Sequence, residues 1–229
     1  MEIARAAAGL FAARGPRATR AEDIAQAAGI APRTFYRYFA TKEEAVAPLY
    51  AAGAQRWTEA VREAPPELPV PAALERAVHH TLVPGEGVSA ASWQWVRTLI
   101  RMAGTNPGLG KVWAEVCQAS EETLAEVLAA RLSRGDGPRE GVPSDNVSHD
   151  SGSGGGGGCG GGNESRGITP HQRFAAAVAS AAVRVAMESW AAAETPAAGP
   201  DGPAELALRN LRALRGFAWE DDRNRGGRQ

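Results

Sequence analysis

Hydrophobic residues in this chain recur every three or four positions, the spacing of an amphipathic helix, whereas the alternation that a strand needs is scarce. The first such pattern covers residues 2–14 and ends at Gly15-Pro16. It places four apolar residues on one face: Ile3, Ala7, Leu10 and Phe11. Because Ala, Leu, Arg and Glu also dominate and most of them are good helix formers, the sequence predicts an all-α protein.

Two short helices joined by a tight turn are predicted next. The first covers about 20–28, with Thr19 as its N-cap and Glu22 completing a capping box. Gly29 closes this helix in a left-handed conformation. The second begins at Pro32, a favourable first-turn residue, and ends near residue 39.

A longer helix is predicted over about 42–63. Thr41 and Glu44 repeat the capping-box spacing at its start, and Pro48 should kink it or delay its beginning. Further helices are predicted at about 71–83, 87–104, 107–133, 170–193 and 203–218.

The chain divides into an N-terminal domain, 1–45, and a second helical domain, 46–219. Residues 134–168 contain 13 glycines and no Phe, Trp or Tyr, so they cannot bury enough apolar surface to offset their ordering entropy. We predict a flexible loop there, inside the second domain because the helices after it need partners. A charged tail that frays is predicted over 220–229.

Charge is distributed unevenly. The whole chain has a formal charge of -1, but residues 1–42 carry seven Arg or Lys against three Asp or Glu, which is +4 and leaves the remainder at -5. A basic end on an acidic body indicates a polyanionic partner for that end alone.

The two short helices form a helix-turn-helix pattern. Six apolar residues should fix the angle between them: Leu10, Phe11, Ile24, Ala28, Ile30 and Phe35. The opposite face of the second helix is then free to enter the DNA major groove. Arg33 and Thr34 lie in its first turn, where bases are read, and Lys42 stands where a phosphate would bind. Tyr36, Arg37 and Tyr38 complete the candidate face.

These residues carry a family resemblance. The stretch Phe35-Tyr36-Arg37-Tyr38-Phe39 with Thr41-Lys42-Glu43, after Asp23-Ile24-Ala25 and Ala28-Gly29-Ile30, resembles the TetR (tetracycline-repressor-like) transcriptional regulators over about 3–50. The resemblance implies an all-α homodimer, commonly a repressor that a ligand releases from a palindromic operator. It implies that eight residues face DNA: Arg20, Ala21, Arg33, Thr34, Tyr36, Arg37, Tyr38 and Lys42.

Two departures from that family matter. Many members cap the recognition helix with Ser or Thr, where this chain has Ala31. Many also carry a basic arm before the first helix, whereas this chain begins inside it. We expect the native start to lie upstream of Met1.

A fainter resemblance is carried by Trp93-Gln94-Trp95, Arg97, Arg101, Asn106-Pro107, Phe174–Arg184 and Trp190. These residues resemble a TetR subgroup with an acyl-CoA-like ligand-binding C-terminal domain. The resemblance implies a small hydrophobic or amphiphilic effector of acyl-CoA-like chemistry, and it implies four ligand-binding candidates: Trp93, Arg97, Met102 and Trp113. The small residues over 175–182 allow close helix approach, so the helices at about 170–193 and 203–218 are the candidate dimer interface.

Purely structural interpretations of these residues stay open. Tyr36 and Tyr38 can be partly buried aromatic residues, and the cations near them can be solvated surface charges. The tryptophans and Met102 can be ordinary core residues. A regulator-like protein that acts through protein contacts without sequence-specific DNA binding is the alternative function, and steep salt dependence would argue against it. We find no nucleophile elbow, zinc spacing or dinucleotide fingerprint, and no run of 18 apolar residues. We therefore expect no enzymatic activity, cofactor, metal or membrane span, and a location in the bacterial cytoplasm at the nucleoid.

Overall fold

The computed structural model describes residues 1–85, 90–135 and 167–219. Within these ranges the chain forms nine α-helices and no strand, which confirms the all-α prediction. The helices are α1 (Glu2–Arg14), α2 (Ala21–Ala27), α3 (Pro32–Tyr38), α4 (Ala47–Glu63), α5 (Val70–Leu82), α6 (Ala90–Thr105), α7 (Pro107–Gly135), α8 (Pro170–Ala192) and α9 (Pro203–Ala213).

Helices α1 to α3, which make up most of the predicted N-terminal domain, pack around the predicted apolar centre. Phe11, Ile24 and Phe35 are fully buried, and Leu10 and Ile30 pack partly buried against them. Contacts of α1 with α2 and of α2 with α3 fix the helix-turn-helix angle.

The turn between α1 and α2 differs from the sequence prediction. Thr19 is fully buried and does not cap α2, because its hydroxyl donates to the carbonyl of Gly15 at 2.9 Å. Arg20 is the N-cap residue instead, and its backbone N–H donates to Oδ2 of Asp23 at 2.9 Å. The predicted capping box of Thr19 and Glu22 is therefore wrong. The buried Thr19 hydroxyl needs a hydrogen-bond partner, and it bonds to the end of α1 instead of capping α2. The predicted left-handed turn is present, since φ of Gly29 is +67°.

The predicted late start of the fourth helix is confirmed. Thr41 accepts a hydrogen bond from the backbone N–H of Glu44 at 3.3 Å, and the Glu44 carboxylate accepts one from the N–H of Ala40 at 2.9 Å. These bonds precede a 3-10 turn at Glu44–Val46, in which the backbone N–H of Val46 donates to the carbonyl of Glu43 at 3.3 Å. The regular helix α4 begins after it at Ala47, with Pro48 in its first turn, where the missing N–H costs nothing.

Helices α4 to α9 form the larger part of the molecule. Helix α7 packs against α4, α6 and α8, and α9 covers α5 and α8. The C-terminal end of α4 is held by Arg131, a buried cation on α7. Its guanidinium donates to backbone carbonyls of Val61, Ala64, Pro65 and Leu68 at 2.7–3.2 Å.

Two predictions about the second domain need correction, and one lies largely outside the described residues. Helix α9 ends at Ala213, not near 218, and a turn follows in which the N–H of Phe217 donates to the carbonyl of Leu214. Helix α7 extends into the predicted loop as far as Gly135. The remainder of that loop, the tail from 220 and Cys159 are outside the described residues.

The small residues of α8 serve this chain's own core. Ala175, Ala176 and Ala179 are fully buried within the single chain, where they let neighbouring helices approach closely. They are therefore not available to a second copy. What α8 leaves exposed is a different stripe, which includes Phe174 and Val185.

Candidate nucleic-acid interface and ligand cavity

The recognition helix α3 is attached to the N-terminal domain by one aromatic residue. Phe35 is fully buried, and its ring lies 5.6 Å from the Tyr36 ring and 5.4 Å from the Phe39 ring. With Phe35 facing inward, the other side of this short helix faces outward: Tyr36 is 53% and Tyr38 61% exposed. Large aromatic side chains at such exposure indicate a binding surface.

Polar contacts hold this outward face in a defined arrangement. The hydroxyl of Tyr36 donates to Oε1 of Glu22 at 3.3 Å, across the two helices. The guanidinium of Arg37 donates to the Tyr38 hydroxyl at 3.1 Å and its Cζ atom lies 5.0 Å from that ring's centroid. Arg33 is exposed and has no hydrogen-bond or ion-pair partner in the described part of the chain, so its five donors are free.

Six of the eight predicted DNA-facing residues lie at or near this surface. Arg20, Arg33, Tyr36, Arg37 and Tyr38 are exposed and Thr34 is half-buried. The other two are placed differently.

Ala21 points its methyl group into the core, since it is only 7% exposed. Its side chain is therefore unavailable to DNA, although its position at the first turn of α2 leaves the backbone N–H near the surface. The family pattern placed this residue by position in the motif, and the packing of α2 decides which way its side chain points.

Lys42 is engaged inside the protein. Its ammonium donates to the carbonyls of Pro16 at 2.7 Å and Thr19 at 2.8 Å, and lies 3.9 Å from the Glu43 carboxylate. Two of its three N–H donors are thus used to bind the segment before α4 to the turn between α1 and α2. The structure therefore gives Lys42 an ordering role and leaves one donor for a phosphate.

A cavity of about 770 Å³ lies between α1, α4, α6, α7 and α8, next to the end of α5. Its size is in the range that drug-sized ligands occupy in proteins. Five aromatic side chains line it: Tyr50, Trp57, Trp93, Trp95 and Trp113. Most of the remaining lining is apolar, as in other small-molecule sites.

One end of the cavity is polar. The indole N–H of Trp113 donates to Oε1 of Glu188 at 2.8 Å, and Arg184 pairs with the same carboxylate at 3.2 Å. Cys117 also lines this region, where burial raises the pKa of its thiol to about 12. Arg184 opposes this shift while Glu188 and Glu121 add to it, so at neutral pH the thiol is protonated and unreactive.

The structure brings two of the four predicted ligand-binding residues to this cavity. Trp93 and Trp113 line it, whereas Arg97 and Met102 do not. The guanidinium of Arg97 lies 4.2 Å from the ring centroid of Trp190 and donates to the carbonyl of Thr195. It therefore links α6 to the C-terminal end of α8 and to the segment after it. Met102 packs partly buried against the core.

Several lining residues were missed because their helices converge only in the folded chain. Tyr50 and Trp57 lie on α4, and Arg184 and Glu188 are one turn apart on α8. The i, i+4 pair of opposite charges on an otherwise apolar helix was a signal in the sequence that could have singled out these last two.

The cavity also touches the N-terminal domain. Arg5 and Ala8 of α1, with Met1 just before that helix, form part of its wall. A Cβ atom on Gly9 would stand 3.7 Å from Cη2 of Trp95, so the Trp95 ring of α6 lies directly against α1. A ligand in the cavity would therefore meet both domains.

A comparison with protein-family models concerns the N-terminal segment. Residues 3–47 match the model of bacterial regulatory proteins of the tetR family. Over these residues the chain is similar to that family. The match confirms the resemblance found in the sequence, and it covers the helix-turn-helix together with the first residue of α4.

A curated relative extends the TetR likeness beyond this domain. The HTH-type transcriptional regulator TcmR of Streptomyces glaucescens is 33% identical over 135 residues, which are 57% of this chain and 58% of that protein. The alignment therefore spans somewhat more than half of each protein.

Solved TetR-family structures share the fold over nearly the whole chain. FadR of Thermus thermophilus, a TetR-family repressor solved in complex with lauroyl-CoA, is 20% identical with a TM-score of 0.56, covering 96% of this chain and 95% of FadR. A TetR-family regulator from Mesorhizobium loti is 18% identical with a TM-score of 0.52, covering 94% of both chains. The relatives and structures named here are transcriptional regulators, not enzymes.

The described residues contain no group of three or more His, Cys, Asp or Glu side chains arranged to hold a metal ion. Nor does any helix among them combine the length and apolarity needed to span a bilayer.

Proposed function

We propose that this TetR-family chain is a ligand-responsive transcriptional regulator. It represses by binding a palindromic operator, from which a small hydrophobic or amphiphilic effector releases it. The observation that carries this proposal is the outward face of α3, with Arg33, Tyr36 and Tyr38 exposed on a helix anchored by buried Phe35. The protein would act at the nucleoid in the bacterial cytoplasm.

Sequence reading is assigned to the first turn of α3. Arg33 is unpaired there, and a bidentate contact of its guanidinium with a guanine discriminates between bases by about 1–3 kcal/mol. Within the protein the Tyr36 hydroxyl donates to Glu22, whereas the Tyr38 hydroxyl accepts from Arg37. On DNA, Tyr36 would exchange its bond for one to a phosphate oxygen, and Tyr38 would donate its proton to another, which positions the helix without reading sequence.

A homodimer would supply the second recognition helix that a palindrome requires. The face of α8 that the single chain does not cover is apolar: Phe174 is 57% and Val185 45% exposed, and the half-buried Val178 and Ala181 lie between them at helical spacing. Helix α9 lies beside α8. We therefore place the dimer interface on α8 and α9, and on this stripe of α8, since its alanines are used internally.

Effector binding would act on the recognition helices through two elements. Helix α4 begins next to the turn that Lys42 holds and contributes Tyr50 and Trp57 to the cavity. Helix α1 forms another part of the cavity wall. An effector that favours a different spacing of the two recognition helices by about 1–3 kcal/mol would release operator about 5–150-fold.

The test begins with selection of bound duplexes from a random pool. On the selected operator, Arg33→Ala should weaken binding by about 1–3 kcal/mol and relax base preference at one position of each half-site. Arg76→Ala on α5, which removes the same charge from an exposed site outside the domain, should change affinity little. Unselective, salt-insensitive binding by the unmutated protein would contradict the proposal.

A further inference from the structure

The start of α7 lies against the segment that joins the recognition helix to α4. A Cβ atom on Gly108, in the first turn of α7, would stand 3.0 Å from Cγ and 3.3 Å from Cδ of Glu43. Carbon atoms in contact are about 3.5–4.0 Å apart, so any side chain at this position would have to displace Glu43. Resting on the proposed function, we propose that Gly108 is a positioning residue for operator binding, because its missing side chain lets Glu43 sit against α7 and thereby orients the N-terminal domain.

The Glu43 side chain is held in place where it meets α7. It is only 18% exposed, and its Oε1 lies 3.9 Å from the ammonium of Lys42. Ala45 and Val46, in the 3-10 turn that follows, are fully buried and fix the backbone there. A mostly buried carboxylate needs compensation, which it has in the Lys42 cation and in the first turn of α7, where the helix dipole favours an anion.

This contact is connected to the helix-turn-helix through the neighbouring residue. Lys42 donates to the carbonyls of Pro16 at 2.7 Å and Thr19 at 2.8 Å, in the turn that precedes α2. Because Glu43 follows Lys42 directly in the chain, a displacement of Glu43 acts on the residue that holds this turn. The position of α7 is thus passed to the N-terminal domain by a path that does not involve the body of α4.

The first turn of α7 is fixed on its own side. The Oδ1 atom of Asn106 accepts from the N–H of Leu109 at 3.0 Å, and its backbone carbonyl accepts from the N–H of Gly110 at 2.8 Å. Leu109 is fully buried. A Cβ atom on Gly110 would stand 2.9 Å from the carbonyl oxygen of Ala103, so α7 also packs tightly against the end of α6. A methyl group added in the contact must therefore displace the side of Glu43.

Such a displacement affects operator binding more than it affects DNA binding in general. Each protomer of the proposed dimer has this contact, so a shift would change the placement of the two recognition helices relative to each other. A palindromic operator requires a fixed spacing of these helices, because its half-sites are a fixed distance apart. Sequence-independent attraction to the phosphate backbone does not require that spacing.

The experiment compares Gly108→Ala with the unmutated chain on the selected operator and on an unrelated duplex of the same length. Operator affinity should fall at least about fivefold, the low end of couplings between distant sites, while affinity for the unrelated duplex stays the same. Thermal melting should show no loss of fold, since Ala is the better helix former. The matched control is Gly104→Ala on α6, where a Cβ atom would meet nothing within 4 Å, and it should change neither affinity.

A double-mutant cycle tests whether Glu43 is the partner that the added methyl group displaces. A Cβ atom on Gly108 would also approach Oδ1 of Asn106 to 3.3 Å, which is a second route to a loss. Glu43→Ala removes the two atoms of the first route, so in this background Gly108→Ala should change operator affinity less than about twofold. A loss that persists there would assign the effect to Asn106 and overturn the proposal.

The unmutated chain separates a failure of this inference from a failure of the function on which it rests. Selective operator binding by the unmutated chain, with equal affinity for Gly108→Ala, would overturn the positioning role alone. Unselective binding by the unmutated chain would overturn the proposed function, and the positioning role with it.

Discussion

The two candidate sites of this protein are built in opposite ways. The DNA-facing surface is assembled from one continuous stretch, about 20–42, and depends on a single buried anchor, Phe35. The cavity draws its walls from six helices spread between Met1 and Glu188. A local motif can therefore specify the first site, whereas the second exists only when the whole helical assembly is in place.

That difference also explains how one site can influence the other. The cavity includes residues of α1, the helix against which the recognition motif packs. Any ligand that changes the packing of the larger assembly thus acts on the support of the smaller one. The variants below probe the dependence of each site on local or on long-range contacts, in order of expected effect.

Replacement of Arg131 by Met should have the largest effect. The change leaves four backbone carbonyls at the end of α4 without their shared donor, and we expect the free energy of unfolding to fall by about 3–5 kcal/mol. Urea denaturation followed by circular dichroism measures it. Arg76→Met, at an exposed site on α5, should stay within about 0.5 kcal/mol. A loss below about 1 kcal/mol for Arg131→Met would show that the cavity domain does not depend on this contact.

The sequence predicts the surface built from one continuous stretch better than it predicts the cavity built from distant helices. Periodicity and the caps predicted the helices of the N-terminal domain, and the motif placed Arg33, Tyr36 and Tyr38 on its outward face. Local spacing failed where tertiary packing competed with it. Thr19 has the residue type of a helix cap, but its hydroxyl is buried against α1 and bonds there.

The cavity shows more clearly what local sequence spacing does not predict. Trp93 and Arg97 lie one turn apart on α6, and no pattern in the sequence separates their roles. The folded chain places Trp93 in the cavity wall and stacks Arg97 on Trp190, which belongs to another helix. Contacts between residues about a hundred positions apart decide this outcome, and local spacing along the chain does not report such contacts.

The second largest effect is expected at the proposed dimer interface. Val185→Glu puts a charge into the exposed apolar stripe of α8, and we expect the dimer to weaken at least about thirtyfold, the change that about 2 kcal/mol produces. Analytical ultracentrifugation measures the dissociation constant. Ala130→Glu, which adds the same charge at an exposed site of α7, should leave it unchanged. An unaltered dimer in the α8 variant would move the interface elsewhere.

A substitution of Lys42 tests whether this side chain stabilises the segment before α4 or contacts DNA directly. Lys42→Met removes two charge-assisted hydrogen bonds to backbone carbonyls, so we expect a loss of about 1–3 kcal/mol in the free energy of unfolding. Operator affinity should fall with little change in its salt dependence, because the lost contacts lie within the protein. A decrease of about one in the slope of log affinity against log salt, with stability unchanged, would instead identify Lys42 as a phosphate contact.

The smallest effect is expected on the rate at which Cys117 is chemically modified, and this rate reports on the cavity alone. Burial raises the pKa of Cys117 to about 12, with Arg184 opposing the shift and Glu188 and Glu121 adding to it. Because the reactive thiolate forms only as pH approaches that value, iodoacetamide should modify Cys117 in the folded chain much more slowly at pH 8–9 than in urea. Peptide mass spectrometry distinguishes this residue from Cys159. Since Cys117 lines the cavity, a ligand bound in the cavity should slow the reaction further, while a substitution such as Arg33→Ala on α3 should leave the rate unchanged. Equal rates in the folded and unfolded chain would mean that the cavity wall opens readily, and the contrast between a local surface and an assembled cavity would then be weaker than the structure indicates.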